Sequence, residues 1–128
     1  MLILSSYPDR AVEWDSLAPG DSLDLPFYDD LPRCLSESFC VCQQRIHSTG
    51  LSAVGLWTTY LTVFRSEVLA SAVGMSSGLI PDYPSESSSI PYLVASGGEN
   101  DIAHEQNFHT LTQDLIDDLN ANNHFVVS

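Results

Sequence analysis

The stretch Arg45-Ile46-His47-Ser48-Thr49-Gly50-Leu51-Ser52-Ala53-Val54-Gly55-Leu56-Trp57-Thr58-Thr59-Tyr60-Leu61-Thr62-Val63-Phe64 decides how this chain is read. Residues 45–49 suit a short strand and residues 54–64 suit a helix. Between them, Gly50-Leu51-Ser52-Ala53-Val54-Gly55 approximates the pattern G-x-S-x-G, with valine at the second glycine. A tight turn joining strand to helix lifts the serine hydroxyl clear of the sheet. It also aims the helix N-terminus, and the amide of Ala53, at negative charge developing in front of the serine.

Working outward, Leu2-Ile3-Leu4-Ser5-Ser6 reads as a short buried strand ended by Tyr7-Pro8-Asp9, and residues 9–23 read as loop. Asp24 stands where it can cap a helix running through Phe27, Leu31 and Leu35, with Pro32 either kinking that helix or marking its early turns. Residues 68–75 form a second apolar strand with room for a helical turn at its start, and residues 77–90 form a loop rich in Ser and Pro. A strand at 91–96 is closed by Gly97-Gly98. A helix over 105–121 places Phe108, Leu111, Leu115, Ile116 and Leu119 on one face, and 124–127 is a last strand. Strands alternating with helices predict an α/β fold: one domain over 1–128, a mainly parallel sheet of about five strands, and crossover helices.

Composition narrows the partners. The 128 residues carry 17 Asp and Glu against 4 Lys and Arg, a net charge of −13. That balance disfavours nucleic acid, whose phosphates need clustered cations, and an anionic membrane surface. No run approaches the roughly 18 apolar residues of a spanning helix, and Met1-Leu2-Ile3-Leu4 lacks the basic start and long apolar run of an export signal. Cys40-Val41-Cys42 is too tight for C-x-x-C redox chemistry and no second pair completes a zinc site. Cys34 and Cys40 can pair in an oxidising compartment, or all three cysteines can remain thiols. Asp114, Asp117 and Asp118 read as a solvated helix face, and Trp57 and Tyr60, three apart, as core packing ahead of an aromatic pocket shared with Trp14.

Several motifs in order resemble the middle of an α/β-hydrolase. Asp24-Leu25-Pro26-Phe27-Tyr28-Asp29-Asp30 resembles the helix before the elbow in secreted esterases related to polyhydroxybutyrate depolymerases and feruloyl esterases. Cys40-Val41-Cys42-Gln43-Gln44-Arg45-Ile46 resembles the segment entering their nucleophile strand. Gly50-Leu51-Ser52-Ala53-Val54-Gly55-Leu56-Trp57-Thr58-Thr59 is similar to their elbow, and Gly97-Gly98-Glu99-Asn100-Asp101 to the loop bearing their acid. The resemblance implies a partial α/β-hydrolase fold and a serine esterase without cofactor or metal, acting on small or polymeric carboxylic esters. It assigns Ser52 as nucleophile, the Ala53 amide as one oxyanion donor and Asp101 as the carboxylate that orients the base. An imidazole must take the serine proton, and a carboxylate holds that imidazole in the right tautomer.

The departures bear on activity. Val54 occupies a glycine position expected to pass close to the neighbouring strand, where a β-branched side chain crowds it. The resemblance places the catalytic histidine after the strand at 124–127, outside these residues, and the second oxyanion amide before residue 1. His47, His104, His109 and His124 remain, and among them His104, three residues past Asp101, is the substitute weighed for reaching Ser52. Two functional expectations therefore stand side by side: an esterase working through acyl-Ser52, and a non-catalytic fragment or remnant of one with at most a binding role.

Overall fold

Apolar alternation and turn residues build a parallel sheet. A computed structural model describes residue 14, residues 22–78 and residues 87–128. The strand expected at 2–6, most of the loop expected at 9–23 and the centre of the loop expected at 77–90 lie outside the described residues. Chain order is α1 (Leu25–Ser38), a 3-10 turn at Gln43–Arg45, β1 (His47–Leu51), α2 (Ala53–Phe64), a 3-10 turn at Ser66–Val68, β2 (Ser71–Met75) and β3 (Pro91–Ala95). The short strands β4 (Ile102–Ala103) and β5 (Gln106–Asn107), α3 (Phe108–Ala121) and β6 (Phe125–Val127) complete it. The sheet runs β1-β2-β3-β6, every neighbouring pair parallel, with β4 and β5 as a separate antiparallel hairpin. The fold is α/β, with four sheet strands among the described residues where the sequence suggested about five.

Period-two alternation decides which face is covered. Ala72 and Gly74 on β2 and Tyr92 and Val94 on β3 point inward, onto Trp57, Tyr60 and Leu61 of α2 and Leu115 and Leu119 of α3. Both helices lie on this one face. Burying side chains such as Leu115 and Leu119 stabilises the fold by about 1.5–3 kcal/mol each. Trp14, Trp57, Tyr60 and Phe64 form an aromatic column, with successive ring centroids 4.9, 5.2 and 4.6 Å apart. Trp57 and Tyr60 are therefore core. The opposite face of the sheet exposes Leu51, Met75, Leu93, Phe125 and Val127.

Local chemistry sets the element boundaries and moves several of them. β1 begins at His47 and runs through Gly50 to Leu51, because the ladder with β2 continues through Gly50↔Gly74 and Leu51↔Met75. Residues 43–45, expected to open the strand, instead make the 3-10 turn. α3 starts at Phe108 rather than 105. Asn107 caps it, its side-chain oxygen accepting from His109 N (3.0 Å) and Thr110 N (3.2 Å). Just before that cap, His104 and Glu105 both take left-handed backbone (φ 49° and 64°) to turn the β4–β5 hairpin.

α1 accommodates Pro26 in its first turn and Pro32 inside it, and Ser36 Oγ donates to the Pro32 carbonyl at 2.6 Å. Arg65 at the C-cap of α2 grips Asp29 of α1 with a two-pronged contact, Nε–Oδ1 2.7 Å and Nη2–Oδ2 2.8 Å. Phe39 ends α1 in extended backbone before Cys40. Cys34, Cys40 and Cys42 are exposed thiols, and the Cys34–Cys40 bond weighed from the sequence is not formed. His124 is buried, its Nδ1 within 3.2 Å of Ile90 N and 3.1 Å of Ile90 O, and burial pushes its pKa down. Among the described residues, no helix is long and apolar enough to cross a membrane.

Candidate active site

Register brings three serines into one row. Leu51 pairs with Met75 and Met75 with Ala95, so Ser52, Ser76 and Ser96 are each the first residue past β1, β2 and β3. The ladder runs one step further at two of them: Ser52 N donates to Met75 O at 3.0 Å and Ser76 N to Ala95 O at 2.7 Å. This row lies at the carboxyl ends of parallel strands, where open α/β sheets gather their ligands.

Ser52 is strained. Its backbone sits at φ 55°, ψ −124°, the conformation of the first central residue of a type II′ turn, which glycine normally occupies. It is also the N-cap of α2, and its carbonyl accepts from Leu56 N at 2.9 Å. Ala53 is the first residue of that helix, where an N–H has no acceptor within the helix. The turn therefore presents the serine and directs the helix N-terminus as the motif requires.

The crowding expected at Val54 falls one residue later. Val54 is half-buried and lines a cavity with Trp57 and Leu61. Gly55 is the position pressed against β2, where an added Cβ would meet Met75 O at 2.8 Å and Ser77 Cβ at 3.1 Å. The turn seats its indispensable small residues at 50 and 55, so valine at 54 is accommodated. Ser48 on β1 is occupied inside the sheet, its hydroxyl 3.0 Å from Thr58 Oγ1.

Asp101 lies across the ends of β2 and β3. Its Oδ2 accepts from Ser76 Oγ at 2.7 Å and from Gly97 N at 2.9 Å. Those two bonds, the backbone one first, together with the nearby His109 ring, hold the carboxyl below its ordinary range. Ser76 reaches it from left-handed backbone, φ 45°. Ser76→Ala should therefore raise the Asp101 pKa towards the ordinary value near 3.9, read by NMR titration of the carboxyl; an unchanged value would mean that the hydroxyl does not hold it. A depressed native pKa gives stability that is present above the unfolded value and is lost as pH falls through the folded one. The variant should accordingly show less stability loss in acid.

The histidines divide differently from expectation. His104 is exposed in the hairpin turn, and the imidazole in the field of Asp101 is His109, in the first turn of α3, with Nδ1 3.3 Å from Ser96 Oγ. His47 Nδ1 is 2.8 Å from Ser71 Oγ, and His124 is packed against Ile90. Within the described residues Asp101 meets Ser76, Gly97 and His109, whereas no hydrogen bond joins Ser52 to an imidazole. Ser96, Ser76 and His109 were not singled out by motif. The available signal was position: each serine follows an apolar strand, and His109 opens a helix just after the acid loop. Asp114, Asp117 and Asp118 are exposed on α3, and no group of metal-binding side chains forms among the described residues. No protein-family model, curated protein or solved structure matches this chain.

Proposed function

We propose that this chain carries the nucleophile and acid of a serine hydrolase acting on carboxylic esters, related to the polyhydroxybutyrate depolymerase and feruloyl esterase group. The carrying observation is the backbone of Ser52. A non-glycine residue held at φ 55°, ψ −124° between a parallel strand and a helix is costly, and it exposes the hydroxyl at the edge where substrates bind. In this reading Ser52 Oγ attacks the ester carbonyl, its proton passes to an imidazole, and the Ala53 N–H stabilises the oxyanion. The imidazole returns the proton to the leaving alcohol, and water then releases acyl-Ser52. Asp101, kept charged by Gly97 and Ser76, supports the imidazole cation.

A second reading is favoured by one specific observation: Ser52 makes no hydrogen bond to any described histidine. In that reading the chain keeps the architecture of the elbow and does no chemistry with it. Hydrolysis of p-nitrophenyl butyrate by the protein and by Ser52→Ala separates the two. The catalytic reading expects a fall in kcat/KM of at least roughly a hundredfold, from loss of the nucleophile. Equal rates in both proteins would overturn it.

A further inference from the structure

Ser96 occupies a different environment from Ser52. β6 pairs with β3 only as far as Leu93↔Val127, two residues short of Ala95, so the sheet steps back beside the end of β3. The step leaves a cavity of about 380 Å³, lined by Val94, Ala95, Ser96, Gln113, Ile116 and Ser128 among others. That volume suits a small organic molecule. Ser96 is half-buried on its wall, and its Oγ lies 3.3 Å from Nδ1 of half-buried His109. The cap made by Asn107 fixes the first turn of α3 and hence the backbone of His109. Behind it, Asp101 O accepts from Phe108 N at 2.8 Å, which ties the acid loop to the same turn.

We infer that Ser96 and His109 form a second nucleophile–base pair, opening on this cavity and able to take up a small acyl or phosphonyl group. A serine becomes nucleophilic when a base accepts its proton, and the geometric requirement is a hydrogen bond between the two, often loose before substrate binds. Ser96 Oγ attacks the carbonyl carbon of a short-chain ester while its proton moves to His109 Nδ1. The tetrahedral oxyanion collapses, the C–O bond to the alcohol breaks, and His109 returns the proton to the leaving oxygen. Water, deprotonated by His109, then cleaves acyl-Ser96. The carboxylate of Asp101 stabilises the imidazolium through its charge, a role it performs for His109 independently of the assignment to Ser52. The Gln113 side-chain amide borders the cavity and offers a donor for the oxyanion.

A fluorophosphonate probe tests this without needing the natural ester. Ser96 Oγ forms a bond to phosphorus, the P–F bond breaks, fluoride departs, and the proton leaves through His109 to solvent. The expected result is an adduct on the peptide containing Ser96, located by mass spectrometry, which falls by at least roughly tenfold in His109→Gln because general-base assistance contributes about 10²–10⁴-fold. Ser96→Ala should abolish that adduct and leave labelling of Ser52 unchanged. An adduct at Ser52 alone would overturn the Ser96 pair and leave the proposed function standing. An adduct at Ser96 alone would support the pair and count against Ser52. Labelling at neither serine of the folded protein would contradict both, and Ser96 labelling that persists in His109→Gln would remove His109 from the role.

Discussion

Gly50→Ala is expected to lower stability by about 3 kcal/mol or more, the upper end of the range for forcing atoms into filled space. The Cα of Gly50 lies beneath the first turn of α2. An added Cβ would fall inside 3.0 Å of the Val54 carbonyl carbon and oxygen and would reach Gly55 N at 2.6 Å. All of these are backbone atoms, so no side chain can swing aside. Either α2 lifts off β1 or the elbow opens, and each exposes part of the cluster around Trp57, Tyr60 and Leu61. Against a total stability of roughly 5–15 kcal/mol, this is among the most damaging single methyl groups the chain can receive. Urea unfolding followed by tryptophan fluorescence reads it, since Trp57 is buried beside the elbow helix. Leu51→Ala, at a neighbouring side chain that is 59% exposed, should stay within about 0.5 kcal/mol of the parent. Similar midpoints for the two variants would contradict the close approach of α2 to β1.

Gly74→Ala should cost nearly as much, about 2–4 kcal/mol, by a separate route. Gly74 lies on the covered face of β2, and its missing side chain is the space filled by the Tyr92 and Ser77 hydroxyls; a Cβ would fall inside 3.0 Å of both. The Tyr92 hydroxyl bonds Thr59 Oγ1 at 3.0 Å, and Thr59 donates to the Gly55 carbonyl at 3.2 Å. A polar strut thus crosses the core from β3 over β2 to the elbow helix. Tyr92 and Thr59 are almost wholly buried, so displacing the phenol strands two hydroxyls away from water. Removing the phenol oxygen should relieve part of the clash: Gly74→Ala combined with Tyr92→Phe is expected to lose less than the sum of the two single changes, by at least roughly 1 kcal/mol in a double-mutant cycle. Strict additivity would mean that residues 74 and 92 do not share this space.

The class of fold was legible because its signals are local and periodic. Tyr92 and Val94 alternate with exposed Pro91, Leu93 and Ala95, and the apolar face of α3 repeats at helical spacing. The turn at Ser52 was legible because glycine at 50 and serine at 52 have few other reasons to stand between a strand and a helix. Boundaries were less legible, since capping and pairing decide them. Asn107 moved the start of α3, and pairing with β2 carried β1 two residues further than 49. The role of Gly55 could not be read, because which of residues 54 and 55 faces β2 depends on the helix rotation that the turn imposes. The neighbourhood of Asp101 was hidden for a related reason. Ser76 is distant in sequence and meets the carboxylate only once β2 and β3 are in register, and the β4–β5 hairpin carries His104 out to solvent while Asn107 fixes the backbone of His109.

The central claim is that residue 52 is held in a backbone conformation hostile to any side chain. The direct measurement is the unfolding free energy of Ser52→Gly against Ser52→Ala. Both changes remove the hydroxyl, so their difference reports the backbone. At an ordinary position glycine is the less stable of the two by roughly 0.5–1 kcal/mol. At φ 55°, ψ −124° the order should invert, with Ser52→Gly more stable than Ser52→Ala by about 1–3 kcal/mol. Glycine equal to or below alanine would show that the turn is relaxed, and the assignment of Ser52 as an elbow nucleophile would fall with it.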